Sequence, residues 1–114
     1  MATSSPKKEA DIRDDPLLRD VPEVDGFKVL DSCVLYVKIG KGGMVAVYRG
    51  KHIKLDIVVA VKCLLPYLAA DNEQMVQRFE REGRLAARVN HTNIVRVFDV
   101  DHSHGIHYLV MEYV

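Results

Sequence analysis

The stretch "IGKGGMVAVYRG", Ile39 to Gly50, sets four glycines into twelve residues and then alternates apolar with polar side chains. Apolar alternation around a glycine-dense centre is the pattern of two antiparallel strands joined by a turn. Upstream, "CVLYVKIG" is β-branched and aromatic, and downstream "VAVYRGKHI" continues in the same style. A hairpin with a side-chain-poor tip is therefore expected. Backbone N–H groups in such a tip can come close to phosphate oxygens.

Further along, "DIVVAVKCLL" reads as a third strand, apolar enough to be covered on both faces, and Pro66 ends it. "NEQMVQRFEREGRLAARV" has helical spacing, with Met75, Phe79, Ala86 and Val89 on one face. Asp71 and Asn72 are both candidate N-caps. Gly83 lies inside this helix and should cost roughly 1 kcal/mol relative to alanine. "NIVRVFDV" and "IHYLVMEYV" are two more strands, joined by the polar turn "DHSHG". The order β-β-β-α-β-β predicts an α+β fold, a five-stranded antiparallel sheet with one packed helix. Residues 1–25 carry Pro6, Pro16, Pro22 and many charges. They are expected to form a disordered leader with one short helical turn around Leu17 and Leu18, leaving 26–114 as the folded unit.

A length of 114 residues suits one small domain or part of a larger one, and 48% hydrophobic against 28% charged residues is a globular balance. Sixteen basic side chains offset sixteen acidic ones, so no net field favours nucleic acid or an anionic membrane. No apolar run approaches the roughly 18 to 20 residues that span a bilayer, and "MATSSPKKEADIRDDP" has no signal-peptide core. Cys33 and Cys63 make no disulfide framework, so a reduced, cytoplasmic setting is expected.

Two charges sit where the pattern calls for apolar side chains. Lys62 lies mid-strand in "VVAVKCLL" and shares a face with Ala60 and Leu64. Glu82 lies three residues after Phe79 and four before Ala86, on the apolar stripe of the helix. An isolated half-buried charge costs several kcal/mol, so opposite misfits on adjacent elements suggest a pair. Snorkelling of Lys62 to a sheet edge, with Glu82 at the margin of the stripe, fits the periodicity equally well. The glycine turn favours the pair, because a lysine on the neighbouring strand could reach the same phosphates and Glu82 could hold it there.

Taken together, "IGKGGMVAVY", "VAVK", "RFEREGRLAARVNHTNIV" and "YLVMEYV" closely resemble the N-terminal lobe of protein kinases, most nearly the bacterial-type serine/threonine kinases. The match runs from about Phe27 to Val114 and rests on four motifs in order, not on the glycines alone. The resemblance implies an ATP-binding lobe and assigns roles at matching positions. Ile39, Gly40 and Gly42 belong to the phosphate-covering loop. Val47 and Ala60 cover the adenine. Lys62 contacts the α- and β-phosphates and Glu82 pairs with it. Met111 stands at the back of the adenine pocket, and Glu112 and Val114 offer hinge backbone groups to the base.

The sequence departs from that family in two ways. Val45 stands where the loop pattern has its third glycine, which should weaken nucleotide binding by adding stiff bulk. The residues end at the hinge, and no "HRD" or "DFG" occurs among them. Catalytic residues, Mg²⁺ ligands and the protein-substrate surface are expected on a second lobe, so these residues alone should be inactive. A non-catalytic, pseudokinase-like interaction module and a degenerate remnant are the competing expectations. His102, His104 and His107 read as a hairpin turn in preference to a zinc site. Cys63 reads as a core residue and His91 as an anchor for the end of the helix.

Overall fold

A computed structural model describes residues 12–70, 72–88 and 95–114. Its strands are β1 (Glu23–Val24), β2 (Phe27–Leu30), β3 (Cys33–Lys41), β4 (Val45–His52), β5 (Ile57–Leu64), β6 (Val97–Ser103) and β7 (Ile106–Glu112). A short helix α1 (Pro66–Ala69) and the long helix α2 (Glu73–Arg88) lie between β5 and β6. The sheet order is β1-β2-β3-β4-β5-β7-β6, with every neighbouring pair antiparallel. Among the described residues seven strands, not the expected five, make up this sheet. The additional pair, β1 and β2, is short and embedded in charged sequence, so alternation alone does not reveal it.

Local chemistry makes the turns. Val24 pairs with Phe27, leaving Asp25 and Gly26 at φ 54° and 85°. Ser103 pairs with Ile106, leaving His104 and Gly105 at φ 52° and 77°. Two successive left-handed residues match the right-handed twist of the flanking strands. Of the expected turn "DHSHG", Asp101 to Ser103 extend β6 and only His104 and Gly105 make the turn.

Strand alternation gives the sheet two distinct faces. The outer one is built from Cys33, Leu35, Tyr48, Val61, Cys63, Tyr108 and Val110, all buried. Residues 12–21 cover it. This strap forms two 3₁₀ turns, Ile12–Asp14 and Pro16–Leu18, and buries Ile12, Leu18 and Val21 against the sheet, Leu18 completely. Residues 12–25, expected as part of a disordered leader, are therefore folded, and the turn at Leu17 and Leu18 is the second 3₁₀ turn. The expectation for residues 1–11 lies outside the described residues. Charge-rich composition conceals the strap because Ile12, Leu17, Leu18 and Val21 follow no regular spacing, yet three of them fill a face that must be covered.

Asp15 fastens the strap. Its Oδ1 accepts the Leu17 N–H at 3.0 Å, and its Oδ2 accepts the Tyr48 hydroxyl at 2.7 Å and Lys38 Nζ at 2.8 Å. Burial pushes this carboxyl up, but the bonds from Lys38, Tyr48 and Leu17 outweigh it and hold it below its ordinary value of 3.8. Burial and the Asp15 bond together drive the Tyr48 hydroxyl far above the usual phenol range.

Asn72 caps helix α2, its Oδ1 accepting the Met75 N–H at 3.0 Å. Met75, Phe79 and Ala86 are half-buried and Gly83 is buried, while Val89 lies outside the described residues. A Cβ on Gly83 would stand 2.4 Å from Leu109 Cδ2 and 3.0 Å from Val100 Cγ2. The glycine therefore lets the helix settle closely on β6 and β7, which offsets its poor helix propensity.

Gly50 faces a harder constraint. A Cβ there would meet the Val34 carbonyl oxygen at 2.2 Å, beside a register shift between Leu35 and Val37. Backbone cannot rotate away as a side chain can. Gly50→Ala should destabilise the fold by about 3 kcal/mol or more, read as a lower urea midpoint. A second expectation concerns acid. A carboxylate with a depressed folded-state pKa stabilises above the unfolded value and loses that contribution as pH falls through the folded one. Between pH 5 and pH 2, Asp15→Asn should flatten the decline of urea stability relative to wild type.

Candidate functional site

Register places the site. Gly40 pairs with Val47, Val47 with Lys62, and Lys62 with Leu109, a row of four residues across β3, β4, β5 and β7. The adjacent row on the same face joins Arg49, Ala60 and Met111, and on the other side Val45 pairs with Leu64. Directly paired residues project to the same side of a sheet. Lys62, Val47, Ala60 and Met111 therefore share the inner face, opposite the strap. Cys63 projects outward into the core, and burial, with minor charge effects, pushes its thiol up to about 12 and that of Cys33 up to about 11. Both stay protonated at neutral pH, which suits packing and not nucleophilic chemistry.

A cavity of about 360 Å³ opens on this face between the hairpin tip, β5 and α2. Met44, Val45, Lys62, Leu64, Met75, Arg78, Phe79 and Glu82 line it. Lys62 and Glu82, singled out from pattern, thus look into one space. The ion pair between them is not closed. Glu82 Oε2 instead accepts Arg78 Nε at 3.4 Å, across one helical turn, and Lys62 has no ion-pair partner among the described residues. The Arg78–Glu82 contact is exposed, long, and runs in the less favourable order for an i,i+4 pair. It is a weak competitor for the carboxylate.

The tip itself is open. Gly42 donates its N–H to Val45 O at 2.8 Å, and Met44 O accepts the Leu65 N–H at 3.0 Å, tying the tip to the end of β5. Neither Gly40, Gly42 nor Gly43 adopts a positive φ. Their contribution is room, since a Cβ on Gly42 or Gly43 would find no atom within 4 Å. Val45 departs from this by projecting a branched side chain into the cavity.

The remaining expected residues fall as follows. Ile39 is exposed at a register shift between Lys38 and Gly40 and does not line the cavity. Glu112 ends β7, and its N–H is already donated to Arg96 O at 2.8 Å. Any contact it makes with a base must use the carbonyl. Val114 is 92% exposed. Sequence reasoning missed Met44, Leu64, Met75, Arg78 and Phe79 as cavity residues. Arg78 was legible as the i,i+4 neighbour of Glu82, and Leu64 as the next inner-face residue after Lys62.

The histidines are engaged elsewhere. His102 and His107 stack with ring centroids 4.0 Å apart, and His107 Nδ1 lies 3.1 Å from Glu80 Oε2, joining β7 to α2. His104 sits in the hairpin turn, and His91 lies outside the described residues. Among the described residues no helix is long and apolar enough to cross a membrane.

Comparison with known proteins adds relatives to this geometry. The protein kinase domain profile matches residues 34–114. Serine/threonine-protein kinase PrkC of Bacillus subtilis is 46% identical over 76 residues, covering 67% of this chain and 12% of that protein. Serine/threonine-protein kinase pkn3 of Myxococcus xanthus is 43% identical over 96 residues, covering 83% of this chain and 17% of that protein. The solved kinase domain of Mycobacterium tuberculosis PknI superposes with a TM-score of 0.65 at 30% identity, covering 81% of this chain and 37% of that one. The chain thus spans a small fraction of the curated relatives it matches.

If the Arg78 contact is as weak as its exposure implies, Arg78→Ala should shift stability by less than about 0.5 kcal/mol. Paired urea titrations of variant and wild type measure this.

Proposed function

From a chain that belongs to the protein kinase family and matches the N-lobe region of bacterial serine/threonine kinases, we propose an ATP-binding lobe whose phosphate contact is Lys62. The single observation that carries this reading is the cavity shared by Lys62, Glu82 and the residues Met44 and Val45 that follow the glycines. A half-buried ammonium with no ion-pair partner among the described residues, beside open backbone, suits a polyphosphate better than any neutral ligand. Val47, Ala60 and Met111 on the same face supply apolar contact for a base. Glu82 then exchanges Arg78 for Lys62 and fixes the ammonium over the phosphates. Gly40 and Gly42 admit the phosphates, while Glu112 through its carbonyl and Val114 through its backbone complete the base contacts.

Phosphoryl transfer to protein serine or threonine belongs to the complete kinase. The catalytic-loop aspartate and the DFG aspartate and asparagine that hold Mg²⁺ in kinases are not among these residues, which contain neither "HRD" nor "DFG". A reducing, cytoplasmic setting agrees with two buried, unpaired cysteines. The folded unit is best drawn from Ile12, because the strap completes the outer core.

One observation favours a second reading, a lobe that serves as a scaffold without nucleotide. Val45 occupies space on the phosphate side of the cavity. Titration of the chain with ATP by calorimetry separates the two. Lys62→Met should weaken binding by about tenfold or more with little change in thermal stability, since a charge-assisted bond is worth about 1.5–3 kcal/mol. Val45→Gly should tighten it. Loss of neither affinity nor heat in Lys62→Met would remove the assignment, and ATP binding that appears only in Val45→Gly would favour the scaffold.

A further inference from the structure

The glycine hairpin is gripped from the side of the sheet away from the cavity. Lys38 lies two residues before Gly40, and Tyr48 directly follows Val47. These two pair across β3 and β4 at the base of the tip, with the Lys38 ammonium 5.7 Å from the Tyr48 ring centre. One oxygen of Asp15 holds both, at 2.8 Å and 2.7 Å. The Asp15 side chain is 8% exposed and Tyr48 is fully buried. A carboxylate so placed has few alternative partners, and losing it strands a buried hydroxyl and a cation together.

The segment bearing Asp15 is itself well seated. Leu18 and Val21 are buried on the outer core, and Lys28 of β2 donates from Nζ to Val21 O at 3.1 Å. With Met44 O bonded to the Leu65 N–H, the hairpin is restrained at its base and at one point of its tip. The stretch outside the ladder is Gly42 to Met44. All of the strap precedes residues 34–114, the part shared with the kinase domain profile.

We propose that Asp15 is a positioning residue for the glycine flap, clamping both of its strands from the outer face so that flap order, and with it affinity for the phosphates of ATP, depends on the N-terminal strap. The consequence for affinity rests on the nucleotide reading above, whereas the clamp itself does not. Asp15 touches no cavity residue and acts only through Lys38 and Tyr48.

Amide hydrogen exchange on the whole chain, without nucleotide, tests the clamp first. Asp15→Ala should speed exchange about tenfold or more across residues 38–48 while β6 and β7 stay within about twofold of wild type. Asp15→Asn, which keeps the shape and an acceptor for Tyr48 but not the charge, should fall between, and it serves if the alanine variant fails to fold. Unchanged exchange in 38–48, or equal acceleration over all strands, overturns the proposal, because the second result is what a merely structural contact gives. ATP titration of the same proteins tests the coupling. Weaker binding in the variants, scaling with flap exchange, supports it, and equal affinity in a loosened flap overturns it. If wild type binds no ATP, the nucleotide reading falls and the coupling with it, while the exchange comparison still judges the clamp.

Discussion

Burial on both sides of β5 fixes nearly everything else in this protein. Outward, Val59, Val61 and Cys63 are fully enclosed, and inward, Ala60 and Leu64 are nearly so. A slip of one residue would exchange the two sets and drive Lys62 into the apolar core. That penalty pins the register with β4 and β7 and so aligns Gly40, Val47, Lys62 and Leu109 in one row. The position of the ammonium is thus a by-product of core packing, and the hairpin tip and α2 are arranged around it.

The inner face shows how a site can be assembled yet not closed. Glu82 is offered two cations, one from its own helix and one from the sheet. The helical partner is near at all times but is solvated and poorly oriented. The strand partner is less exposed, so a carboxylate brought to it is screened less by solvent. Gly83, next in sequence, sets how closely the helix approaches Leu109 and hence how far Glu82 stands from Lys62. Packing and electrostatics at adjacent residues therefore act on the same distance.

Much of this was legible in the sequence, and the limits have physical causes. The hairpin, β5, α2 and the last two strands announce themselves through long, regular periodicity. Strand alternation and the helical stripe also place Lys62 and Glu82 on facing surfaces. They do not say which partner Glu82 takes, because that depends on rotamers and on an i,i+4 neighbour of similar reach. Asp71 and Asn72 were equivalent as caps by residue type; the Asn72 Oδ1 bond to the Met75 N–H makes Asn72 a cap, and Asp71 lies outside the described residues. The strap and the β1–β2 pair were missed since a segment with three buried side chains among charges has too little pattern to detect. Gly83 looked like a weakness from helix propensity and proved to be a fitting point between layers.

The separation of Asp15 from its hydroxyl partner, 33 residues along the chain, has a consequence for synthesis. The strap leaves the ribosome before β3, β4 and β5, yet the surface that receives it does not exist until those strands have emerged and paired. Neighbouring hairpins can zip as they appear, because most contacts join strands adjacent in sequence. The strap must wait for them, solvated by its own charges. Its acidic and basic side chains, unhelpful for recognising a folded element, suit a segment that stays solvated until its partners exist.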